Sequence, residues 1–243
     1  MPVSSSEEEK QNIIAKWEEV FKVGSSMTSK EAIQENNLGK EGNFEYCHTK
    51  QNVDVYALKT EHSTIVRGDI VVEGAKAEEF LAHFGSVDLA EKVKFDSTTK
   101  RIEIVEQWTD ESDGSAWRVQ YFVISVGALV SDRDFLYVLR IFKKDNITYF
   151  LTTSIDGLYT PPSTFQPQNK AVRGTNLFVC QRYETLENGD LHISYANQVS
   201  PNGWIPISIV NANIYPVPLS LAKIADSLKK KTKVPSNSPS LKK

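Results

Sequence analysis

The sequence of 243 residues predicts an α+β fold built around one large antiparallel sheet. Strand-like segments follow one another in a run of three and a run of six, and helical patterns stand before, between and after these runs. Strands joined by such short connections pair in the antiparallel sense. Several strands are apolar at odd and even positions alike, as in "FLYVLRIF" (135–142). We therefore expect either that another layer covers the second face or that the sheet curls around an interior.

The first predicted element is an amphipathic helix over residues 6–23. Ile13 and Trp17 belong to its apolar face, and Ser6 with Glu9 three residues later has the pattern of a capping box. β-branched and aromatic residues bounded by turn signals then predict three strands. These strands are expected over 43–49, 53–60 and 64–74.

Helical composition returns over residues 75–84, and a second short helix is predicted near 87–93. The second run of strands follows, with "KKDN" and "LENGD" as turn signals between its members. Its six strands are predicted over 100–110, 116–127, 134–145, 147–156, 171–185 and 190–200.

The last predicted element is a long helix that begins at Pro206 and ends near residue 231. Its apolar residues recur at alternating steps of three and four, which is a helical stripe. The stripe consists of Ile207, Val210, Ile214, Val217, Leu221, Ile224 and Leu228. Pro216 and Pro218 each remove a backbone donor, so we expect a kink or a break there. Both a helix packed on a filled core and a helix that closes a cavity fit this stripe.

Composition and charge exclude several classes of protein. No segment approaches the roughly 18 apolar residues of a membrane span, the opening "MPVSSSEEEKQ" is too polar for a signal peptide, and Cys47 and Cys180 are too few for a disulfide framework. The formal net charge is −3, yet the last segment, "KKKTKVPSNSPSLKK", contains lysines and no acidic residue. We expect a cytoplasmic protein with one domain over 1–232 and a disordered basic tail over 233–243, and no nucleic-acid partner.

Residues that could carry bond chemistry do not form a recognisable set. Cys47 and His48 are adjacent on a strand and face opposite ways, and Cys180 with His192 would need a tertiary contact to act together. The sequence has no G-x-S-x-G, Walker or dinucleotide-binding pattern. We predict no enzyme activity, no catalytic residue, no cofactor and no metal site.

Four segments in order resemble the START domain, the lipid-transfer domain related to the steroidogenic acute regulatory protein. They are "EKVKFDSTTKRIEIVEQW", "VSDRDFLYVLRIFKKDN", "PNGWIPISIVN" and "VPLSLAKIADSL". The family typically opens a strand with Pro-Arg-Asp-aromatic, which is similar to Asp132-Arg133-Asp134-Phe135 here. It opens the last helix with Gly-Trp-hydrophobic-Pro, as in Gly203-Trp204-Ile205-Pro206. The likeness extends over about residues 10–231.

The resemblance implies a helix-grip fold, in which a curved antiparallel sheet wraps around a long C-terminal helix above an internal lipid cavity. It implies a monomeric lipid-transfer protein that holds one lipid in a hydrophobic tunnel and carries it between membranes, with the helix as lid. The membrane contact would be peripheral and transient. The alternatives are a lipid sensor or scaffold that does not transfer, a hydrolase or cyclase on the same fold, and an interaction domain with a filled core.

The resemblance also places candidate side chains in the tunnel. Gln120 and Tyr137 would orient the polar end of the lipid, unless they are ordinary polar residues of the strands. Some sterol-binding members have an acid and an arginine inside; Gln120 falls at the acid position, which favours a phospholipid over a sterol. Arg140 would bind a phosphate only if a bulge turned it inward. The predicted lipid contacts are Gln120, Phe122, Tyr137, Arg140, Val210, Asn213, Val217, Leu221 and Ile224, and the predicted membrane contacts are Lys229, Lys230, Lys231 and Lys233.

Overall fold

Ten strands pair into a single sheet in the computed structural model of the chain, which describes residues 5–35, 37–61, 63–127, 130–166, 171–205 and 215–232. The spatial order is β1-β2-β3-β10-β9-β7-β6-β5-β4, with every neighbouring pair antiparallel, and β8 runs parallel to β6. The strands are β1 (Glu45–Lys50), β2 (Val53–Lys59), β3 (Thr64–Val72), β4 (Thr99–Thr109), β5 (Ala116–Ile124), β6 (Arg133–Lys144), β7 (Ile147–Ser154), β8 (Val172–Arg173), β9 (Thr175–Thr185) and β10 (Leu191–Ser200).

Helices stand before, between and after the strands. They are α1 (Glu7–Met27), α2 (Ala77–Phe84), α3 (Leu89–Phe95) and α4 (Ser220–Thr232). The capping box predicted at Ser6 and Glu9 is present at the start of α1. The order of elements and the curved antiparallel sheet confirm the predicted α+β helix-grip class.

The outer face of the sheet is covered by α1. The Trp17 ring meets the Trp117 ring of β5 edge to face at 5.1 Å between centroids, and the Phe21 ring meets the Tyr149 ring of β7 at 5.0 Å. A Cβ atom on Gly24 would lie 2.9 Å from the Cβ of Cys180, so only glycine lets the helix approach β9 this closely. A second apolar layer therefore explains why the strands are apolar at both parities.

The inner face carries α2, α3 and α4. Phe80 of α2 and Leu221, Ile224 and Ala225 of α4 are buried in one apolar cluster with side chains of β2, β3, β6 and β10. The residues under α1 form a separate cluster on the opposite side. The sheet thus separates two apolar layers, and the inner one contains the cavity described below.

The segment predicted as one strand over 171–185 is two strands that meet at Gly174. Before this residue the chain pairs with β6, and after it the chain pairs with β7 and β10. A Cβ atom at position 174 would lie 2.3 Å from the ring of Phe135, so a glycine is needed where the chain changes partners. This requirement is a tertiary contact, which periodicity along the sequence does not contain.

The described residues around the two prolines are not α-helical, in agreement with the kink or break that the sequence predicts there. Val217–Leu219 form a 3₁₀ turn that precedes α4, and Pro218 is buried against β3, where a Cβ on Gly68 would lie 2.3 Å from the Cβ of Pro218. The α-helix begins at Ser220, whose hydroxyl donates to the Val217 carbonyl at 2.8 Å. The first half of the predicted helix, residues 206–214, lies outside the described residues.

Candidate functional site

A cavity of about 460 Å³ lies between the inner face of the sheet and the helical layer. Its volume falls within the range of roughly 300–1,000 Å³ that is usual for small-molecule sites. The strands β5, β6, β7 and β10 contribute alternate residues to its wall, because successive side chains of a strand point to opposite faces. β9 contributes residues on both sides of a register shift in its pairing with β10. Most of the wall is apolar, and its larger members include Phe84, Phe95, Phe122, Phe135, Phe150 and Ile224.

Four polar side chains interrupt the apolar wall on three neighbouring strands. They are Thr152 of β7, Asn176 and Gln181 of β9, and Asn197 of β10, and none is more than 5% exposed. The Asn176 Nδ2 atom donates to the Thr152 hydroxyl at 2.7 Å, and the Tyr183 hydroxyl donates to Gln181 Oε1. Oδ1 of Asn176, Nε2 of Gln181 and Oδ1 of Asn197 have no hydrogen-bond partner within the described part of the chain.

Two lysines join the helices around the cavity. Lys92 Nζ donates to the Phe84 carbonyl at 2.5 Å, which links α3 to the end of α2. Burial lowers the pKa of Lys92 to about 8, although the nearby Asp96 carboxylate acts in the opposite direction. Lys223 Nζ donates to the Phe95 carbonyl at 3.2 Å, which links α4 to α3. These two hydrogen bonds connect the three helices that border the cavity.

The structure brings four of the predicted lipid contacts together on the cavity wall. Phe122 and Tyr137 come from the sheet, Val217 comes from the turn before α4, and Ile224 comes from α4 itself. Burial raises the pKa of Tyr137 well above its ordinary value, so its phenol stays protonated. The wall therefore combines side chains from elements that are distant in the sequence.

The other predicted contacts are placed differently. Gln120 occupies the next inward position of β5 beyond Phe122, where it is buried, and its Nε2 has no partner among the described residues. Leu221 is fully buried in the inner apolar cluster. Val210 and Asn213 lie outside the described residues.

The structure corrects the expectation that Arg140 binds a headgroup, because its side chain lies on the outer face. β6 pairs with β7 in continuous register from Tyr137 to Lys144, so no bulge turns Arg140 inward. The guanidinium lies 4.6 Å from the Trp117 ring centroid and forms ion pairs with Asp110 and Asp113, each at 2.9 Å. The expected phosphate ligand is replaced by two carboxylates of the chain itself.

The turn before residue 206 contains Trp204, which the sequence analysis did not include among the predicted membrane contacts. Trp204 is 87% exposed. Arg133, itself buried, donates to the carbonyls of Pro201 at 2.6 Å and Asn202 at 3.1 Å. The Asn202 side chain in turn donates to the Arg173 carbonyl at 3.0 Å. These hydrogen bonds attach the turn to β6 and β8, and it lies beside Ile205, which lines the cavity.

The residues considered for bond chemistry lie apart from the cavity. Cys180 is buried beneath α1, where burial raises the pKa of its thiol to about 12. The Nε2 atom of His192 lies 3.2 Å from Oδ1 of Asp69. His192 is on the face of β10 opposite to Asn197, which lines the cavity. Among the residues that the structure describes, no group of three or more His, Cys, Asp or Glu side chains could hold a metal ion.

The predicted membrane contacts lie at the end of the chain. Lys229 and Lys230 are exposed on the last turns of α4, the Lys231 backbone belongs to the same helix, and Lys233 lies outside the described residues. Within the described part of the chain, no helix has the length and apolar character needed to span a membrane.

The fold is that of solved StAR-related lipid transfer domains. Human StAR-related lipid transfer protein 5 matches with a TM-score of 0.68 and 17% identity, over 93% of this chain and 98% of that one. Human STARD10 matches with a TM-score of 0.66 and 15% identity, over 87% and 80%. A StAR-related lipid transfer protein from Xanthomonas axonopodis matches with a TM-score of 0.56 and 16% identity, over 76% and 98%.

These structural matches confirm the START-like fold that the sequence segments indicated. At identities this low, the likeness concerns the fold alone. In comparisons of sequence, no protein-family model and no curated protein matches the chain.

Proposed function

We propose that the protein binds one lipid in the cavity and carries it between membranes. The observation that carries this proposal is the largely apolar cavity of about 460 Å³ between the sheet and α4. Each buried methylene contributes roughly 0.8 kcal/mol, so an acyl chain or ring system enters such a cavity readily and crosses water poorly without a carrier. Two of the solved structures with this fold are named as lipid transfer proteins, which supports the same activity here.

Loading would require the helical layer to open, and α4 is our candidate for the lid. Pro216 and Pro218 supply no backbone donor to the turn before it, and this turn is the point at which the helix would hinge. The Lys223 bond to the Phe95 carbonyl is a link that opening would break. Binding and release, rather than bond chemistry, would be the whole reaction.

Trp204 and the lysines at the end of α4 would make a transient contact with the membrane. Tryptophan favours the interface between headgroups and acyl chains, and Trp204 stands beside the cavity wall on the turn that Arg133 holds by hydrogen bonds. Lys229 and Lys230 would attract anionic headgroups, together with Lys231 and Lys233. We propose that residues 1–232 act as one monomeric domain and that 233–243 form a basic tail.

A transfer assay between vesicles tests this function. Purified protein is incubated with donor vesicles of mixed lipid composition, recovered, and extracted so that bound lipid is identified by mass spectrometry. Acceptor vesicles are then added, and the rate at which the lipid reaches them is measured. We expect one lipid per protein and transfer in proportion to protein concentration.

Each result of this assay has a defined meaning. Bound lipid without transfer would favour a sensor or scaffold, and no bound lipid from any vesicle would overturn the proposal. Arg140→Leu is the control variant, because its side chain lies on the outer face, and lipid uptake should be unchanged.

A further inference from the structure

Three amide side chains line the cavity wall along two neighbouring strands, β9 and β10. Asn197 of β10 stands opposite Val179 of β9. Asn176 of β9 is paired with the β10 residue two positions after Asn197, and Gln181 of β9 is paired with the β10 residue two positions before it. Asn176 and Gln181 are therefore both diagonal neighbours of Asn197 across the two strands. All three side chains line the cavity and are buried: Asn176 is 5% exposed, Gln181 is 1% exposed and Asn197 is 4% exposed. We call Asn176, Gln181 and Asn197 the amide cluster.

Each member of the amide cluster has one atom without a partner among the described residues. The atoms are the acceptors Asn176 Oδ1 and Asn197 Oδ1, and the donor Gln181 Nε2. Buried polar atoms of folded proteins are nearly always hydrogen-bonded, and an unpaired one destabilises the protein. Three such atoms on adjacent strands of one apolar cavity indicate that a ligand completes them.

The chemistry of these atoms defines the polar end of the ligand. A hydroxyl group donates to an amide oxygen and accepts from an amide N–H, so one hydroxyl can satisfy Gln181 and its diagonal neighbour Asn197 together. A phosphate offers negatively charged acceptors to Asn176 Oδ1 and Asn197 Oδ1, and a trimethylammonium group offers neither donor nor acceptor. Of the cations on the wall, Lys92 and Lys223 donate to carbonyls of the helical layer, opposite the sheet.

We propose that the amide cluster binds the polar end of an uncharged lipid that carries a hydroxyl or an amide. This inference rests on the proposed function and gives it a substrate class. It replaces the expected preference for a phospholipid, which was inferred from Gln120 at the acid position, and the outward Arg140 supplies no cation for a phosphate in the cavity.

Competition among lipids in one vesicle tests the inference. Protein is incubated with vesicles that contain dioleoylphosphatidylcholine, dioleoylphosphatidylserine, cholesterol, dioleoylglycerol and a C16 ceramide, and the recovered protein is extracted for mass spectrometry. We expect one or more of the last three lipids to be enriched over the two phospholipids. The three lipids differ in their polar ends. The lipid that is captured most therefore shows whether the site prefers a lone hydroxyl or an amide with hydroxyls. The O-methyl ether of that lipid should be captured poorly, because it no longer donates to an asparagine oxygen.

Substitution of the cluster supplies the second part of the test. Asn197→Leu should lower capture of the neutral lipid at least about tenfold, since a site that hydrogen-bonds a hydroxyl discriminates strongly. The lipid-free variant should melt at or above the parent temperature, because a buried unpaired oxygen has been removed. Gln107→Leu, on the exposed part of β4, is the matched control and should change neither result. Gln181→Met repeats the test at a second position if Asn197→Leu does not fold.

Two results would overturn the inference. One is predominant capture of phosphatidylcholine or phosphatidylserine, which would leave the proposed transfer function standing. The other is unchanged capture of the neutral lipid by folded Asn197→Leu and Gln181→Met variants. Failure to capture any lipid would instead overturn the proposed function itself.

Discussion

Arg67 and Asp69 show how a buried charged pair fastens α1 to the sheet. Arg67 is fully buried and donates to Asp69 at 2.6 and 2.8 Å and to the carbonyls of Met27 and Ser29 at 2.9 and 2.6 Å. Burial alone would raise the pKa of Asp69, but hydrogen bonds from Arg67, His192 and Ser194 lower it to about 2. The two charges thus satisfy the end of the helix as well as each other.

The depressed pKa of Asp69 predicts a loss of stability in acid. An unfolded aspartate titrates near 3.9, so this contribution is complete above that pH and disappears as the pH falls toward 2. Its size is about 2 kcal/mol. Asp69→Asn should lower the free energy of unfolding at pH 7 by roughly 3–5 kcal/mol, because Arg67 is left buried without its partner. The variant should also show a shallower decline between about pH 4 and 2.

Urea denaturation at pH values from 6 to 2 measures both effects. Asp145→Asn, in the exposed turn after β6, is the control and should keep the acid decline of the parent. Equal slopes for Asp69→Asn and the parent would show that Asp69 does not carry the stated linkage.

At the scale of the element, two residues of the last apolar stripe have different environments. Val217 lines the cavity, whereas Leu221, one turn later, is fully buried in the inner cluster. Val217→Trp should occupy space that the lipid needs, so the fold should persist and lipid uptake should fall. Leu221→Trp should overpack the cluster and lower the free energy of unfolding by roughly 1–3 kcal/mol.

Thermal melting and lipid extraction on the two tryptophan variants check this prediction. Each variant serves as the control for the other, because the same large side chain is added to the same stripe. Full uptake by a stable Val217→Trp variant would argue that the cavity wall at this position does not meet the lipid.

Most elements of the fold follow from local patterns in the sequence. Polar turns and apolar periodicity predict the strands and helices to within a few residues, as at the capping box of Ser6 and Glu9. Alternation also favours an outward Arg140, since Phe135 and Tyr137 of the same strand point inward. The sequence does not identify the layer over the second face, because a strand that is apolar at odd and even positions alike does not specify which element covers it.

The polar part of the candidate site could not be predicted from local pattern. Asn176 and Gln181 have opposite parity on β9, yet both line the cavity. A register shift beside Gln198 and Val199 of β10 accompanies this change of side. A bulge is fixed by the pairing of two distant strands, so simple alternation would assign one of the two residues to the wrong face.

At the scale of the whole molecule, an acidic body ends in a basic helix. Substitution of the four lysines Lys229, Lys230, Lys231 and Lys233 by glutamine should weaken binding to vesicles that contain anionic lipid. Each lysine near the surface contributes about 1 kcal/mol, and added salt should shrink the difference because it screens the charges. Binding to neutral vesicles should be unaffected.

Sedimentation with vesicles at low and high salt measures this difference. The matched control replaces by glutamine four lysines that are exposed elsewhere on the protein, Lys22, Lys40, Lys50 and Lys59. This control removes the same number of positive charges. An equal loss with the control set would mean that total charge, rather than the end of α4, determines the attraction.

The division of the molecule into two apolar layers has a consequence for how its sequence can diverge. Along β6, outward residues such as Val138 pack beneath α1, while inward residues such as Phe135 and Tyr137 face the cavity. Changes at inward positions can therefore reshape the cavity while the residues beneath α1 keep their packing. If the cavity holds a lipid, as we propose, chains with this fold can differ at the inward positions, and so in the lipid that they accept, while the outer layer stays the same.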